Sequence, residues 1–422
     1  MGEGVLNVEG VTLARIAEAV GTPAYVYSAG AIRAQYRELD AALSRIPHRI
    51  CYSVKANGNL AVLALLRSLG AGVDIVSGGE LARALAAGFS GPDVVFSGVG
   101  KTADEMLDAL RAGVGMINVE SAEELDTLAV VARSAGIAAP TAIRVNPEVQ
   151  LHVHPYTATG VKGKKFGVPY DEVEELAVRA AGTRELHLRG LAMHLGSGIT
   201  EVLPFQEALV KLLGVVAKVK GRGVDTLTRL DLGGGLGIRY RSTDRPLSPQ
   251  RFAEALVPQL AGSGMQLVVE PGRFIIGGAG QLLTRVLYRK ESGGKLIAVV
   301  DAGMTDLIRP SHYQAYHEIL VDGAAGRPHA HYDVVGPICE SGDFFALDRE
   351  LPTLEQGDLL ALQGAGAYGF VMTSTYNARP RPPEVLVDDG RFAVVRARES
   401  TADLMLGETL EPAWQGAGAG AA

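Results

Sequence analysis

The chain has 422 residues, 47% of them hydrophobic and 21% charged, with a formal net charge of −7. That length exceeds one small domain and suits a large barrel with a satellite domain, or two or three ordinary domains. The apolar share calls for a sizeable core, not wholesale disorder. An acidic chain without a Lys/Arg run offers no face for neutralising phosphates, which argues against a nucleic-acid partner. Its two cysteines, Cys51 and Cys339, are far apart, make no disulfide framework and fit a reducing cytosol. Residues 1–20 lack the basic and apolar regions of a secretory signal, and no apolar run reaches the ~20 residues of a membrane span. A soluble, cytoplasmic protein is expected.

In chain order, 23–28 reads as a strand that would pair with a second domain. Strand-length apolar runs follow at 49–54, 73–76, 93–96, 115–119, 141–145, 187–193, 227–232 and 266–270. Between them lie segments with apolar residues every three or four positions, such as 60–69, 79–87, 103–111, 122–134, 170–181 and 204–219. Eight strand–helix units fit either an open doubly wound sheet or a closed (β/α)8 barrel. The count of eight favours the barrel, and so do polar and glycine residues at strand C-terminal ends, where barrel active sites are built. After about residue 280 the pattern changes to short β runs at 281–288, 296–300, 331–335, 359–362, 384–387 and 392–396. These read as a mainly antiparallel β domain. The expected organisation is a strand segment at 1–29, a barrel at 30–280, a β domain at 281–410 and a flexible tail at 411–422.

The chemistry-bearing residues sit at these strand ends. Lys55, in Tyr52-Ser53-Val54-Lys55-Ala56-Asn57, follows an apolar strand. Partial desolvation there would depress its pKa and let a neutral amine attack an aldehyde, although a lysine snorkelling off a strand end is the bland alternative. Gly233, Gly234 and Gly235 follow the seventh barrel strand, where phosphate sites of this barrel lie. Three glycines let backbone N–H groups converge on a phosphate. The spacing is not that of a dinucleotide loop. Glu270-Pro271-Gly272-Arg273 ends the eighth strand with a carboxylate able to keep a pyridine nitrogen protonated and an arginine able to hold an anion. His194 and Ser197, in His194-Leu195-Gly196-Ser197-Gly198, close the sixth strand; a lone histidine there is as well explained by structure. Gly98-Val99-Gly100-Lys101-Thr102 ends like a phosphate-binding loop, but Val95 stands where its first glycine is required. The pairs His152/His154 and His329/His331 lack the company of a metal site, so no metal is expected. Cys339, between Pro337 and Asp343, lies among polar residues and not in an apolar run, which makes it a candidate acid. Arg309, Tyr313 and Tyr368 taken singly read as surface polar residues.

The order Tyr-Ser-Val-Lys-Ala-Asn, His-Leu-Gly-Ser-Gly, Asp-Leu-Gly-Gly-Gly, Glu-Pro-Gly-Arg, Cys-Glu-Ser-Gly-Asp, Gly-Ala-Tyr closely resembles the diaminopimelate decarboxylase family, among the alanine-racemase-like (fold type III) pyridoxal-phosphate enzymes. The likeness runs from about residue 23 to 398. It implies a Schiff base between the cofactor and Lys55, His194 stacked on the ring and Glu270 on its nitrogen. It also implies Ser197, Gly235, the backbone of Gly272 and Arg273, and Tyr368 around the phosphate. Arg273, Arg309 and Tyr313, with Tyr368 nearby, would hold the substrate's distal carboxylate and Glu340 its distal amine. Cys339 would return a proton to the substrate carbon after carbon dioxide leaves; a thiol of ordinary pKa, about 8.5, is protonated at neutral pH. In that family Cys339 and Glu340 enter from the partner protomer, so the resemblance implies a homodimer with shared sites. Ornithine decarboxylases usually place Asp after the cysteine, where Glu340 stands here. An ornithine-, arginine- or carboxynorspermidine-type decarboxylase is the alternative. Thr305 departs from the family's common Asn. The polar segment 150–165 is a candidate lid.

Overall fold

The computed structural model describes residues 4–151, 153–157 and 159–414. The Gly/Ala run from 416 onward, within the expected tail, and His152 of the first histidine pair lie outside the described residues.

Strands β1 (Asn7–Val8) and β2 (Val11–Thr12) form a small hairpin, followed by α1 (Leu13–Val20), β3 (Ala24–Ser28) and α2 (Ala29–Leu43). Then β4 (His48–Ser53), α3 (Leu60–Ser68), β5 (Gly72–Ile75), α4 (Gly78–Ala86), β6 (Val94–Phe96), α5 (Ala103–Arg111), β7 (Met116–Val119), α6 (Ala122–Ala135) and β8 (Ala139–Asn146) alternate. The two-residue β9 (Val168–Pro169), α7 (Val173–Gly182), β10 (Leu186–Met193), α8 (Leu203–Gly221), β11 (Arg229–Asp231), α9 (Pro249–Leu260) and β12 (Gln266–Val269) complete the series. All strands of the ring run parallel. β12 pairs back onto β4, with Leu267 opposite His48, so eight strands close into the expected barrel and β9 hangs off β8. The strands are apolar on both faces because barrel interior and helices cover them; Val73, Ile75 and Phe96 are fully buried. Side-chain caps start the helices on schedule: Thr102 and Glu105 satisfy each other's backbone N–H groups at the head of α5.

After the short helix α10 (Arg273–Ile276), β13 (Gly280–Ser292) forms the spine of a second sheet. It is followed by β14 (Lys295–Val300), α11 (Arg309–Tyr313), β15 (Ile319–Val321), β16 (His329–Val335), β17 (Phe344–Pro352), β18 (Leu359–Gln363), β19 (Glu384–Asp388) and β20 (Arg391–Arg396). β13 pairs antiparallel with β14, β18 and β3, so the N-terminal strand belongs to this sheet. Two pairings, β14–β16 and β3–β19, are parallel. β15 and β17 lie outside the expected strands: β15 has only three residues, and β17 is an edge strand whose apolar start is followed by three charged residues, Asp348 to Glu350. Buried Glu384 ties the parts together, accepting from Tyr27 Oη at 2.7 Å and from Asn59 Nδ2 at 2.9 Å.

Candidate active site

Lys55, His194, Ser197, Glu270 and Arg273, which follow the C-terminal ends of barrel strands, line two adjoining cavities. Lys55 occupies the single 3-10 turn after β4, and its Nζ pairs with Asp74, fully buried within β5. Ser53 Oγ lies 2.9 Å from both Asp74 Oδ2 and the Glu270 carbonyl, within donating reach of either. This corrects one expectation. Burial does press the Lys55 pKa down, but Asp74 foremost, with Glu270 and Tyr368, more than reverses it, and the amine is held protonated above its ordinary value.

Glu270, just past β12, meets a second buried carboxyl, Asp231, at the end of β11. Ser97 Oγ donates to Glu270 Oε1 at 3.4 Å, and Asn118 Nδ2 reaches Ser97 Oγ at 3.0 Å and Asp231 Oδ2 at 3.3 Å. Burial first, then the charges of Asp231 and Asp74, holds Glu270 well above the usual carboxylate range. Beside it, His194 Nδ1 accepts from the Gly234 N–H at 3.0 Å, so the ring is neutral with its proton on Nε2. Burial, then the Arg144 and Lys55 cations, keeps its pKa well below the ordinary histidine value.

The glycine run wraps this histidine. A Cβ on Gly234 would stand 2.2 Å from the Glu270 carbonyl oxygen, and Gly235 has φ +115° with its carbonyl accepting from the Gly198 and Ile199 N–H groups at 3.0 and 2.8 Å. Ser197 Oγ accepts from Arg273 Nε at 3.1 Å, Arg273 Nη1 donates to Tyr240 Oη at 2.6 Å, and its guanidinium lies 4.9 Å from the Tyr368 ring centroid. A Cβ on Gly272 would approach Ala56 Cβ to 2.8 Å, so the Glu-Pro-Gly-Arg turn seats directly on the lysine turn.

Two cavities meet at Lys55 and His194. The inner one, about 390 Å³, is lined by Ser97, Asn118, Arg144 and Glu270. The outer one, about 600 Å³, is lined by Ser197, Tyr240, Arg273, Arg309, Tyr313 and Tyr368. His154 and Tyr156, from the 150–165 segment, also wall the outer cavity, and His154 meets the Tyr313 ring at 5.6 Å. Among the described residues, neither Arg273 nor Arg309 has a carboxylate partner. Cys339 and Glu340 line neither cavity; both are exposed, and the Cys339 N–H donates to Asn377 Oδ1 at 2.9 Å. Lys101 is structural, donating to the Gly98 and Asn118 carbonyls at 2.6 and 2.7 Å. Thr305 is buried with Oγ1 unpartnered.

Sequence reasoning did not single out Asp74, Tyr240 or His317, and assigned no role to the Asp231 carboxylate. Asp74 left a signal, an acid inside the apolar run Gly72–Ile75. Tyr240 and His317 left none.

A parallel barrel whose mouth gathers a lysine, a buried carboxyl pair and a glycine turn around a neutral histidine fits a pyridoxal-dependent enzyme. The model of the pyridoxal-dependent decarboxylase pyridoxal-binding domain matches residues 29–277. The cofactor is accordingly pyridoxal phosphate, and the residues around both cavities fit it. The chain is 51% identical to the Pseudomonas aeruginosa diaminopimelate decarboxylase, with 96% of this chain and 97% of that protein aligned. The Helicobacter pylori enzyme complexed with L-lysine superposes with TM-score 0.89 at 39% identity, covering 93% of this chain and 98% of that one. For the M. jannaschii enzyme, also with L-lysine, the TM-score is 0.92 at 34% identity and 98% coverage of both chains. The chain belongs to the diaminopimelate decarboxylase family. Among the described residues no helix is long and apolar enough to cross a membrane.

Proposed function

We propose that this enzyme converts meso-2,6-diaminopimelate to L-lysine and carbon dioxide. The observation that carries the reading is the outer cavity, whose lining combines Lys55 with Tyr313 and two guanidiniums without carboxylate partners, Arg273 and Arg309. A substrate with an amino acid group at each end fills both needs.

Bound pyridoxal phosphate supplies the electron sink that accepts the pair left when the Cα–carboxylate bond breaks. The chain does the rest. Lys55 would hold the cofactor's aldehyde, Glu270 would meet its ring nitrogen and His194 its ring. Ser197, Gly235, the backbone of Gly272 and Arg273, and Tyr368 would hold the phosphate. Arg273, Arg309 and Tyr313, with Tyr368, orient the distal carboxylate, which aligns the scissile bond. Cys339 delivers the proton to Cα and Glu340 meets the distal amine, both from the partner protomer of a cytoplasmic homodimer. Exposure of both residues away from their own chain's cavities supports that arrangement.

Ornithine would leave Arg309 buried without its anion, at a cost of a few kcal/mol, or on the order of 100-fold in kcat/KM. Carbon dioxide release from meso-diaminopimelate and from ornithine, with and without added pyridoxal phosphate, tests this. A preference for ornithine would overturn the assignment.

A further inference from the structure

We propose that His317 is a positioning residue for substrate specificity, aiming the Arg309 guanidinium into the outer cavity through a neutral hydrogen-bond acceptor that leaves its positive charge free. The inference rests on the reading of Arg309 as a distal-carboxylate ligand and adds how that ligand is held ready.

His317 follows α11 and is fully buried. Its Nδ1 lies 2.8 Å from the carbonyl oxygen of Gln363, at the end of β18, and a carbonyl only accepts, so Nδ1 carries the proton. Nε2 is then a lone pair, 3.0 Å from Arg309 Nη1, a group that only donates. The two contacts assign the tautomer from opposite sides. His317 is itself held at backbone and ring: Arg349 Nη1 donates to its backbone carbonyl at 2.9 Å, and Tyr240 packs edge-on against the imidazole at 5.7 Å. The same Tyr240 ring receives the Arg309 guanidinium, 5.0 Å from its centroid. Burial first, then the neighbouring Arg309 charge, lowers His317 to about 3, so the acceptor stays neutral at working pH.

The choice of residue matters. A buried arginine needs an acceptor to fix its orientation, and a carboxylate would serve as well geometrically. It would also neutralise the guanidinium and compete with the anion that Arg309 is there to bind. Imidazole orients without neutralising. Arg309 is thereby held beside the cavity with one N–H engaged and the charge unspent.

The test uses the holoenzyme with His317→Phe, His317→Gln and His317→Glu. Wild-type release of carbon dioxide from meso-diaminopimelate is measured first; its absence would overturn the functional reading and this inference together. Loss of one hydrogen bond to a charged group amounts to about tenfold to 100-fold. His317→Phe is therefore expected to raise KM by about that factor, with a smaller effect on kcat. Gln, whose amide oxygen can replace Nε2, should recover most of the loss, and Glu should not. The inhibition constant of L-lysine, which keeps the distal carboxylate, should rise with KM, while that of cadaverine, which has no carboxylate, should not move. Equal weakening of L-lysine and cadaverine, an unchanged KM, or Gln no better than Phe would overturn the inference while leaving the reaction assignment intact. Should the Phe variant fail to fold, the Gln–Glu pair decides: a higher KM for Glu supports the proposal and equal values reject it.

Discussion

Replacing Asp231 by Asn removes one of two buried carboxyls at the adjoining ends of β11 and β12, and its consequence for the cofactor-free protein follows from where the protons sit. Burial above all, with the Asp74 charge adding, raises Asp231 from 3.8 to about 6 in the folded chain. The folded state therefore holds this proton more tightly than the unfolded one. The contribution of this group to stability is greatest at low pH, falls as pH climbs from about 4 to about 6, and changes no further above that. A rise of about 2 pKa units corresponds to about 3 kcal/mol. The amide has no such proton to lose, and its oxygen can still accept from the Gly233 N–H, now 2.8 Å from Asp231 Oδ1. Asp231→Asn is expected to be more stable than wild type by up to about 3 kcal/mol at pH 7.5, with the gain vanishing near pH 4. Urea unfolding of both cofactor-free proteins by circular dichroism across that range measures it. A pH-independent difference, or a less stable variant at pH 7.5, would refute the reasoning.

Asp74→Asn removes the anion that keeps Lys55 protonated, so covalent capture of added pyridoxal phosphate should reach its half-maximal rate at a pH lower by about 1–3 units. An unshifted absorbance-detected profile would remove Asp74 from that role. Lys55→Ala and Cys339→Ala subunits, each inactive alone, should regain about a quarter of wild-type activity when mixed at random, because half the dimers then carry one intact shared site. No recovery, with mixed dimers verified by mass spectrometry, would place both residues in one protomer's site. Gly234→Ala drives a Cβ to 2.2 Å from the Glu270 carbonyl and should weaken cofactor binding by tenfold or more, read by equilibrium dialysis.

The architecture was legible because its physics is local. Barrel strands covered on both faces show as apolar runs such as Gly72–Ile75 and Val94–Phe96, and caps such as Thr102 mark where the helices begin. The positions of Lys55, Glu270 and the three glycines were legible too, because strand ends of a closed barrel converge whatever their separation along the chain. β17 was not, since this edge strand runs on through three consecutive charged residues, Asp348 to Glu350, that read as a turn. Nor could the electrostatics be read. Burial alone argued for a lowered Lys55 pKa, and only the neighbouring strand's Asp74 reverses the sign. The Asp231 charge helps to raise Glu270 because the adjacent parallel strands β11 and β12 end side by side. His317 depends on a carbonyl 46 residues away. Sequence by itself determined which groups this enzyme carries and on which strand ends. Tertiary structure decided their charge states and aim, because a pKa or a guanidinium's direction depends on neighbours that only folding brings within a few ångströms.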